Sequence, residues 1–298
     1  MQKDLVLGES KFQRLILFVV FVCGGLSIFL FGANTFKLFP TNKNLSYEWG
    51  LTVVFLALAA ILRRSETLRK YWKVAYALFV ASFANALNLY WGNWLAEILP
   101  PAGSDAEMIA VDKLSQSIPI VLSIILLTLL AGDSLGSIFL HRGNLRQGLK
   151  FGLISFGIFV GLFVFIAILQ SSGPSEQGLW ASGMRLDIII AALPWMLVFC
   201  FANAIMEELW FRGIFLRKLT PLLGAVASVI ATALVFGLTH SAATYITSAQ
   251  MIIFSSIVIA LGLVNGWVML KTDSIWGSVL FHAGYDLLVI IPVLASEL

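Results

Sequence analysis

Long apolar runs separated by short polar segments make up most of the chain. A helix that crosses a bilayer needs about 20 mostly apolar residues, and the hydrophobic pattern predicts nine such helices. They cover residues 15–36, 47–62, 74–95, 118–139, 149–169, 186–206, 223–241, 249–270 and 275–296. The sixth is predicted to continue as helix to about residue 219, and residues 105–117 are predicted to form a separate interfacial helix. The predicted fold class is therefore all-α, a polytopic transmembrane helix bundle.

Composition agrees with a membrane protein. Of the 298 residues, 59% are hydrophobic and only 12% are charged, whereas an average soluble domain has about 45–50% apolar and about 25% charged residues. A soluble protein of this size cannot bury so much apolar surface. The net charge is only +3 and the basic residues are scattered over short loops. Nucleic acid is therefore not an expected partner, and the lipid bilayer is.

Lysine and arginine are distributed unequally between the two sides of the predicted bundle. When the N-terminus is placed inside and the helices alternate, fifteen of the 19 Lys and Arg residues fall on the inner side. Positive residues are enriched in cytoplasmic loops. The N-terminus is therefore predicted to be cytoplasmic and the C-terminus external. The localisation expected is the cell membrane, which in a bacterium is the inner membrane.

The sixth predicted helix leads into a charged sequence, Glu-Glu-Leu-Trp-Phe-Arg, at 207–212. Ionisable residues inside a membrane are energetically expensive and indicate function. Glu208 and Arg212 are four residues apart, in the order that favours an ion pair. Glu207 points about 100° away from Glu208 on a helix and shares its face with Asn203. We expect Glu208 to support the site and Glu207 to do the chemistry; the alternative is a helix end whose charges meet water.

Two histidines on later helices can reach Glu207. A hairpin of the sixth and seventh helices places Glu207 and His240 at depths that differ by roughly 7 Å, with Phe236 packed over the His240 ring. His282 in the last helix shares a face with Asp286, four residues later, which either fixes its tautomer or lines the same cavity. The alternatives are an interfacial histidine and a polar pair that stabilises helix packing.

Two enzymatic mechanisms fit these residues, and the sequence leaves both open. In one, Glu207 and His240 activate a water that attacks a peptide carbonyl, and His282 and Asp286 stabilise the oxyanion without any cofactor. In the other, Glu207, His240 and His282 bind zinc and leave one position open for water. The zinc mechanism leaves only Glu208 as base, and the predicted ion pair of Glu208 favours the metal-free mechanism.

Two other classes of protein also fit the pattern. A proton-coupled transporter would use Glu207, His240, His282 and Asp133 as a relay. Asp133 also fits the interfacial end of a helix. A non-catalytic immunity or scaffold protein would need none of these residues for chemistry.

The order and spacing of the motifs resemble a known family. Glu-Glu-x-x-x-Arg at 207–212, Phe-x-x-x-His at 236–240 and His-x-x-x-Asp at 282–286 are similar to the motifs of the CAAX-protease and bacteriocin-processing family. This family is also called the type II CAAX prenyl endopeptidase or Abi family, and the resemblance covers about residues 186–290. It implies an intramembrane endopeptidase acting on a membrane-associated peptide or protein. In it the first glutamate and first histidine activate water, and the third motif forms the oxyanion site.

The resemblance divides the chain into two parts of one bundle. Residues 186–298 are expected to carry the catalytic helices, and residues 1–185 form transmembrane helices of unassigned role. Where the third motif ends in asparagine, its amide can donate to an oxyanion. Asp286 can donate only when it is protonated, so it is either protonated or acts by orienting His282. Three asparagines are expected to line the cavity or to connect helices: Asn85, Asn88 and Asn265.

Overall fold

Helices account for all the regular secondary structure in the part of the chain that the structure describes. The structure is a computed structural model, and it describes residues 10–31, 41–100, 102–171, 186–241 and 248–296. The all-α prediction is confirmed. The predicted boundary at residue 185 borders a segment, 172–185, that lies outside the described residues.

Nine of the described helices contain 16 residues or more, and each overlaps one of the nine predicted segments. The first half comprises α1 (Lys11–Phe29), α2 (Thr41–Arg64), α3 (Trp72–Trp91), α4 (Trp94–Ile98), α5 (Asp105–Leu130) and α6 (Leu145–Ser171). The second half comprises α7 (Leu186–Glu207), α8 (Leu216–Leu223), α9 (Ala225–His240), α10 (Ser248–Thr272) and α11 (Trp276–Ser296). Seven helical stretches of the described chain are long and apolar enough to cross a membrane, and α9 is a shorter apolar helix. The chain is therefore a multi-pass membrane protein.

The N-terminal half of α5 differs from the prediction. α5 begins after Ser104, whose side chain accepts a hydrogen bond from the Glu107 amide at 3.2 Å, so the separate interfacial helix is in fact its first half. Pro119 lies inside α5 and leaves the carbonyl of Ser115 without its helical donor. The indole Nε1 of Trp94 in α4 donates to this carbonyl at 3.1 Å. This bond satisfies the free carbonyl, so the helix continues through the proline.

The C-terminal end of α5 comes nine residues before the predicted end at residue 139. Gly132 and Phe139 have φ values of 79° and 63°, and the chain between them contains a short 3₁₀ turn at Leu135–Ile138. Left-handed residues cannot continue a right-handed helix. The helix therefore stops at Leu130.

The sequence predicts one continuous helix that runs through the acidic pair to about residue 219. In the structure, this helix is interrupted before α8. α7 ends at Glu207 and is followed by one π-helical turn, Glu208–Gly213. The Ile214 amide donates to the Leu209 carbonyl five residues earlier, at 3.1 Å. After this turn comes α8, and Gly224 with φ of 85° separates it from α9. π turns are rare and occur frequently at functional sites.

Helix packing places the π turn at the centre of the bundle. α7 packs against α5 and α11, α9 packs against α1 and α10, and α11 also packs against α6. All the residues of the π turn are buried. α9 and α10 approach so closely at Gly237 that an added Cβ would overlap with Ile259. The late helices are thus held in close register around the acidic pair.

Candidate active site

Three helices bring the predicted catalytic residues to one place. Glu207 is the last residue of α7, His240 is the last of α9, and His282 and Asp286 lie one turn apart in α11. Glu207 Oε1 is 3.7 Å from His240 Nε2, and Glu207 Oε2 is 3.5 Å from His282 Nε2. The carboxylate therefore lies between the two imidazoles, and each ring faces a different oxygen. The similar depth expected for Glu207 and His240 is present.

The three side chains differ in how far they are enclosed. The side chain of His282 is only 2% exposed, whereas those of Glu207 and His240 are 12% and 24% exposed. His282 forms the buried wall of the site. Glu207 and His240 keep surface that is accessible from outside the bundle.

A second carboxylate lies behind the first and binds three groups through one oxygen. Glu208 Oε1 accepts hydrogen bonds from Arg212 Nη1 and Asn265 Nδ2, both at 2.8 Å, and lies 2.7 Å from His282 Nδ1. All four side chains are buried. The predicted Glu208–Arg212 ion pair is therefore present, although it spans a π turn rather than an α turn. Because Arg212 balances its charge, Glu208 can serve as an acceptor inside the bundle.

Hydrogen bonds assign the proton positions on both imidazoles. The Glu208 carboxylate only accepts, so the proton of the His282 bond is assigned to Nδ1. His240 Nδ1 is 2.8 Å from the Phe236 carbonyl oxygen, which also only accepts, so Nδ1 of His240 carries a proton as well. Each ring consequently directs its Nε2 atom toward Glu207. The hydrogen-bond partner of one ring nitrogen thus sets the protonation of the other nitrogen.

Asp286 and Asn203 bind each other. Asn203 Nδ2 donates to Asp286 Oδ2 at 2.9 Å, and not to Glu207, whose helix face it shares. Asp286 Oδ1 lies 3.4 Å from His282 Nε2. Glu208, which binds Nδ1, therefore sets the tautomer of His282. Asp286 does not, because it approaches the other ring nitrogen, Nε2, which also faces Glu207.

Phe236 fills the space between the two histidines and the ion pair. Its ring centroid is 4.4 Å from that of His240 and 5.8 Å from that of His282, the latter edge-on. The Arg212 guanidinium carbon lies 4.0 Å from the same centroid, a cation–π distance. The predicted packing of Phe236 on His240 is present, and the ring also shields the ion pair.

The same donor atoms do not form a ready metal site. Within the described ranges, no group of three or more His, Cys, Asp or Glu side chains has the geometry to hold a metal ion. The zinc alternative therefore gains no support from the arrangement of the described side chains, and it stays a prediction.

Comparison with protein families matches the segment that carries these residues to a known protein family. Residues 189–288 match the family described as Type II CAAX prenyl endopeptidase Rce1-like, and the matched segment contains Glu207, His240, His282 and Asp286. Through this segment, the chain is similar to CAAX proteases. No curated protein and no solved structure matches the chain. The match supports a hydrolase that acts on peptides in a membrane environment.

The helices before the CAAX-protease-like segment contact the π turn directly. Trp210 Nε1 donates to the Ala81 carbonyl of α3 at 3.1 Å. Asn85, one turn further along α3, donates to the Ile28 carbonyl of α1 at 3.3 Å. Nothing in the sequence pattern indicates the Trp210 contact, because its partner is a backbone group.

Asn265, one of the three asparagines expected to line the cavity or to connect helices, contributes to the site through Glu208. Its side chain binds Glu208, and its carbonyl accepts a hydrogen bond from Ser278 Oγ at 3.0 Å. The only sequence signal is a polar residue within an apolar run. Asp133, which would favour a transport relay, pairs instead with Lys73 of α3 at 2.7 Å.

Proposed function

We propose that the chain is an intramembrane endopeptidase that hydrolyses a peptide bond in a membrane-associated peptide or protein. The observation that carries this proposal is the Glu207 carboxylate between His240 Nε2 and His282 Nε2, at 3.7 and 3.5 Å. The similarity of residues 189–288 to CAAX proteases supports the class of reaction. The residues that act are assigned from their geometry.

Glu207 and His240 activate the water. Glu207 Oε1 and the unprotonated His240 Nε2 are both acceptors, 3.7 Å apart. One water can donate a hydrogen bond of about 2.8 Å to each of them. As its oxygen attacks the carbonyl carbon, the water transfers a proton to Glu207, which acts as general base.

His282 stabilises the charge that develops on the carbonyl oxygen. Its Nδ1 proton is held by Glu208, so donation from Nε2 uses the imidazolium form, whose charge the neighbouring Asp286 carboxylate balances. When the tetrahedral intermediate collapses, the carbon–nitrogen bond breaks and Glu207 returns its proton to the leaving amine. Asp286 accepts from Asn203 and positions His282; as a carboxylate it does not donate to the oxyanion.

The proposal includes the orientation of the bundle. The excess of Lys and Arg on one side supports a cytoplasmic N-terminus in the cell membrane. Residues 186–298 carry the proposed chemistry, and the helices before them support it through contacts such as Trp210 to Ala81.

Cleavage of membrane-anchored peptides by the purified protein tests the proposal. Glu207→Gln and His240→Ala are expected to lower the rate by about 10²–10⁴-fold, the usual contribution of general acid–base groups. Glu48→Gln is the matched control, because Glu48 is a buried carboxyl in α2 whose Oε2 accepts from Ser82 at 3.1 Å. It should retain cleavage.

Two results would overturn this proposal or its mechanism. Full cleavage by both Glu207→Gln and His240→Ala would exclude the protease assignment. Activity that is lost on chelation and restored by zinc would replace the metal-free mechanism. The peptide panel should contain one sequence with and without a prenyl group, since the family description names prenyl endopeptidases.

A further inference from the structure

A cavity of about 550 Å³ opens at the end of the bundle where α2 and α5 end and α3 begins. Three arginines line it. Arg63 and Arg64 belong to the last turn of α2, and Arg69 starts the 3₁₀ turn that leads into α3. None of the residues proposed for catalysis lines this cavity.

The positive charge of the cavity is not neutralised by the surrounding protein. Among the described residues, no acidic side chain forms an ion pair with Arg63, Arg64 or Arg69. Asp133, the acidic residue after α5, is bound by Lys73 at 2.7 Å. The cavity therefore keeps the charge of three guanidinium groups, in contrast to the paired arginine of the active site.

The remainder of the cavity is aromatic and apolar. Arg63 lies over the Trp72 ring at 4.9 Å, and the Tyr76 hydroxyl donates to the Leu127 carbonyl at 2.8 Å. The ring of Tyr76 is thereby fixed against the wall. The apolar lining is supplied by α2 and the end of α5: Leu56, Ala59, Ala60, Leu130 and Ala131.

We propose that this cavity binds an anionic membrane lipid through its phosphate headgroup. Guanidinium groups match phosphate with parallel hydrogen bonds, and basic pockets between transmembrane helices are suited to lipid headgroups. The acyl chain lies along the apolar wall between α2 and α5. This arrangement differs from arginines scattered at a membrane surface, because charge, aromatic rings and apolar wall face one open cavity.

Tryptophan fluorescence of the full-length protein in mixed micelles tests the site. Phosphatidylglycerol with brominated acyl chains is expected to quench the fluorescence at lower mole fractions than brominated phosphatidylcholine does. Trp72→Phe should remove the quenching component that distinguishes the two lipids, because Trp72 lines the cavity. Equal quenching by both lipids would overturn the proposal.

Charge variants separate this cavity from general attraction to a negative surface. Each Lys or Arg near an anionic surface contributes a factor of about five in affinity, so Arg63→Gln, Arg64→Gln and Arg69→Gln together should weaken the preference roughly 100-fold. The control removes the same charge from the loop before α6 and the first two turns of α6, with Arg142→Gln, Arg146→Gln and Lys150→Gln, all at exposed positions.

The outcomes of these variants are distinct. An equal loss in the control would show general charge attraction and overturn the site. Competition by millimolar inorganic phosphate would assign the arginines to free phosphate and overturn the lipid assignment. An unchanged unfolding midpoint of both triple variants shows that any loss belongs to binding, and the Trp72→Phe result stands independently of either triple variant.

Discussion

At the level of single residues, the buried Glu208 carboxylate connects three helical segments. One oxygen contacts Arg212 in the π turn, Asn265 in α10 and His282 in α11. Three donors on one oxygen fix the orientation of the imidazole before any substrate binds. The position of His282 therefore depends on residues that do not touch a substrate.

Removing the arginine should destabilise the fold strongly. Arg212→Met leaves Glu208 as a buried charge without its cation and is expected to lower the free energy of unfolding by about 3–5 kcal/mol. The double variant Glu208→Gln, Arg212→Met has no buried charge at this pair and should recover most of the loss. A double-mutant cycle of unfolding in detergent measures the coupling; strictly additive losses would contradict it.

Removing the amide of Asn265 should affect catalysis more than binding. Asn265→Ala deletes one donor to Glu208, a hydrogen bond worth about 1–1.5 kcal/mol, and kcat is expected to fall about ten-fold with KM little changed. Asn85→Ala is the matched control, since Asn85 is also buried but binds the Ile28 carbonyl. If both variants lower kcat equally, the effect comes from stability and not from positioning.

At the level of elements, the π turn 208–213 is where the catalytic helix meets the N-terminal half. Trp210 projects from this turn, donates to the Ala81 carbonyl and packs edge-on against Phe29 of α1 at 5.0 Å. One aromatic side chain thus links the turn to both α3 and α1. The helices that precede residue 186 are therefore expected to influence the active site.

The indole hydrogen bond of Trp210 can be tested against a similar bond elsewhere. Trp210→Phe removes the indole hydrogen bond to the Ala81 carbonyl and should lower the free energy of unfolding by about 0.5–1.5 kcal/mol, with a loss of activity. Trp94→Phe removes a comparable bond, to Ser115 in α5, and should lower stability with activity retained in the folded fraction. Equal activity losses in the two variants would refute a specific link between α3 and the site.

At the level of the whole molecule, the prediction with the widest consequence is the orientation in the membrane. A cytoplasmic N-terminus places the connection between α2 and α3 inside and the connection between α4 and α5 outside. In intact cells, an impermeant maleimide should label Ala102→Cys and spare Glu66→Cys, both exposed positions. The background variant is Cys23→Ala, Cys200→Ala, since these are the free cysteines. The reverse labelling pattern would invert the orientation.

Features that depend on neighbouring residues could be predicted from the sequence. Every helix in lipid must satisfy its own backbone hydrogen bonds, so the apolar runs alone indicated nine segments that overlap the nine long helices of the described chain. The Glu208–Arg212 pair follows from helical spacing. The approach of Glu207 and His240 was predicted from a hairpin of two helices, although the structure places the π turn and α8 between them.

Features that depend on distant contacts were decided by the tertiary structure. α5 continues through Pro119 because Trp94 satisfies the free carbonyl of Ser115. Asn203 turns to Asp286, 83 residues away, although helical spacing puts it on the face of Glu207. These choices depend on how neighbouring helices rotate about their axes, which the periodicity of a single helix does not specify.

The sequence by itself determined the helical class, the family motifs and the residues that carry the candidate chemistry, since each is a local property of the chain. The tertiary structure decided which nitrogen of His282 meets which carboxylate, with Nδ1 at Glu208 and Nε2 toward Glu207. The physical reason is that a buried carboxylate takes the donors that packing brings within hydrogen-bond distance, and packing joins residues that are far apart in the chain.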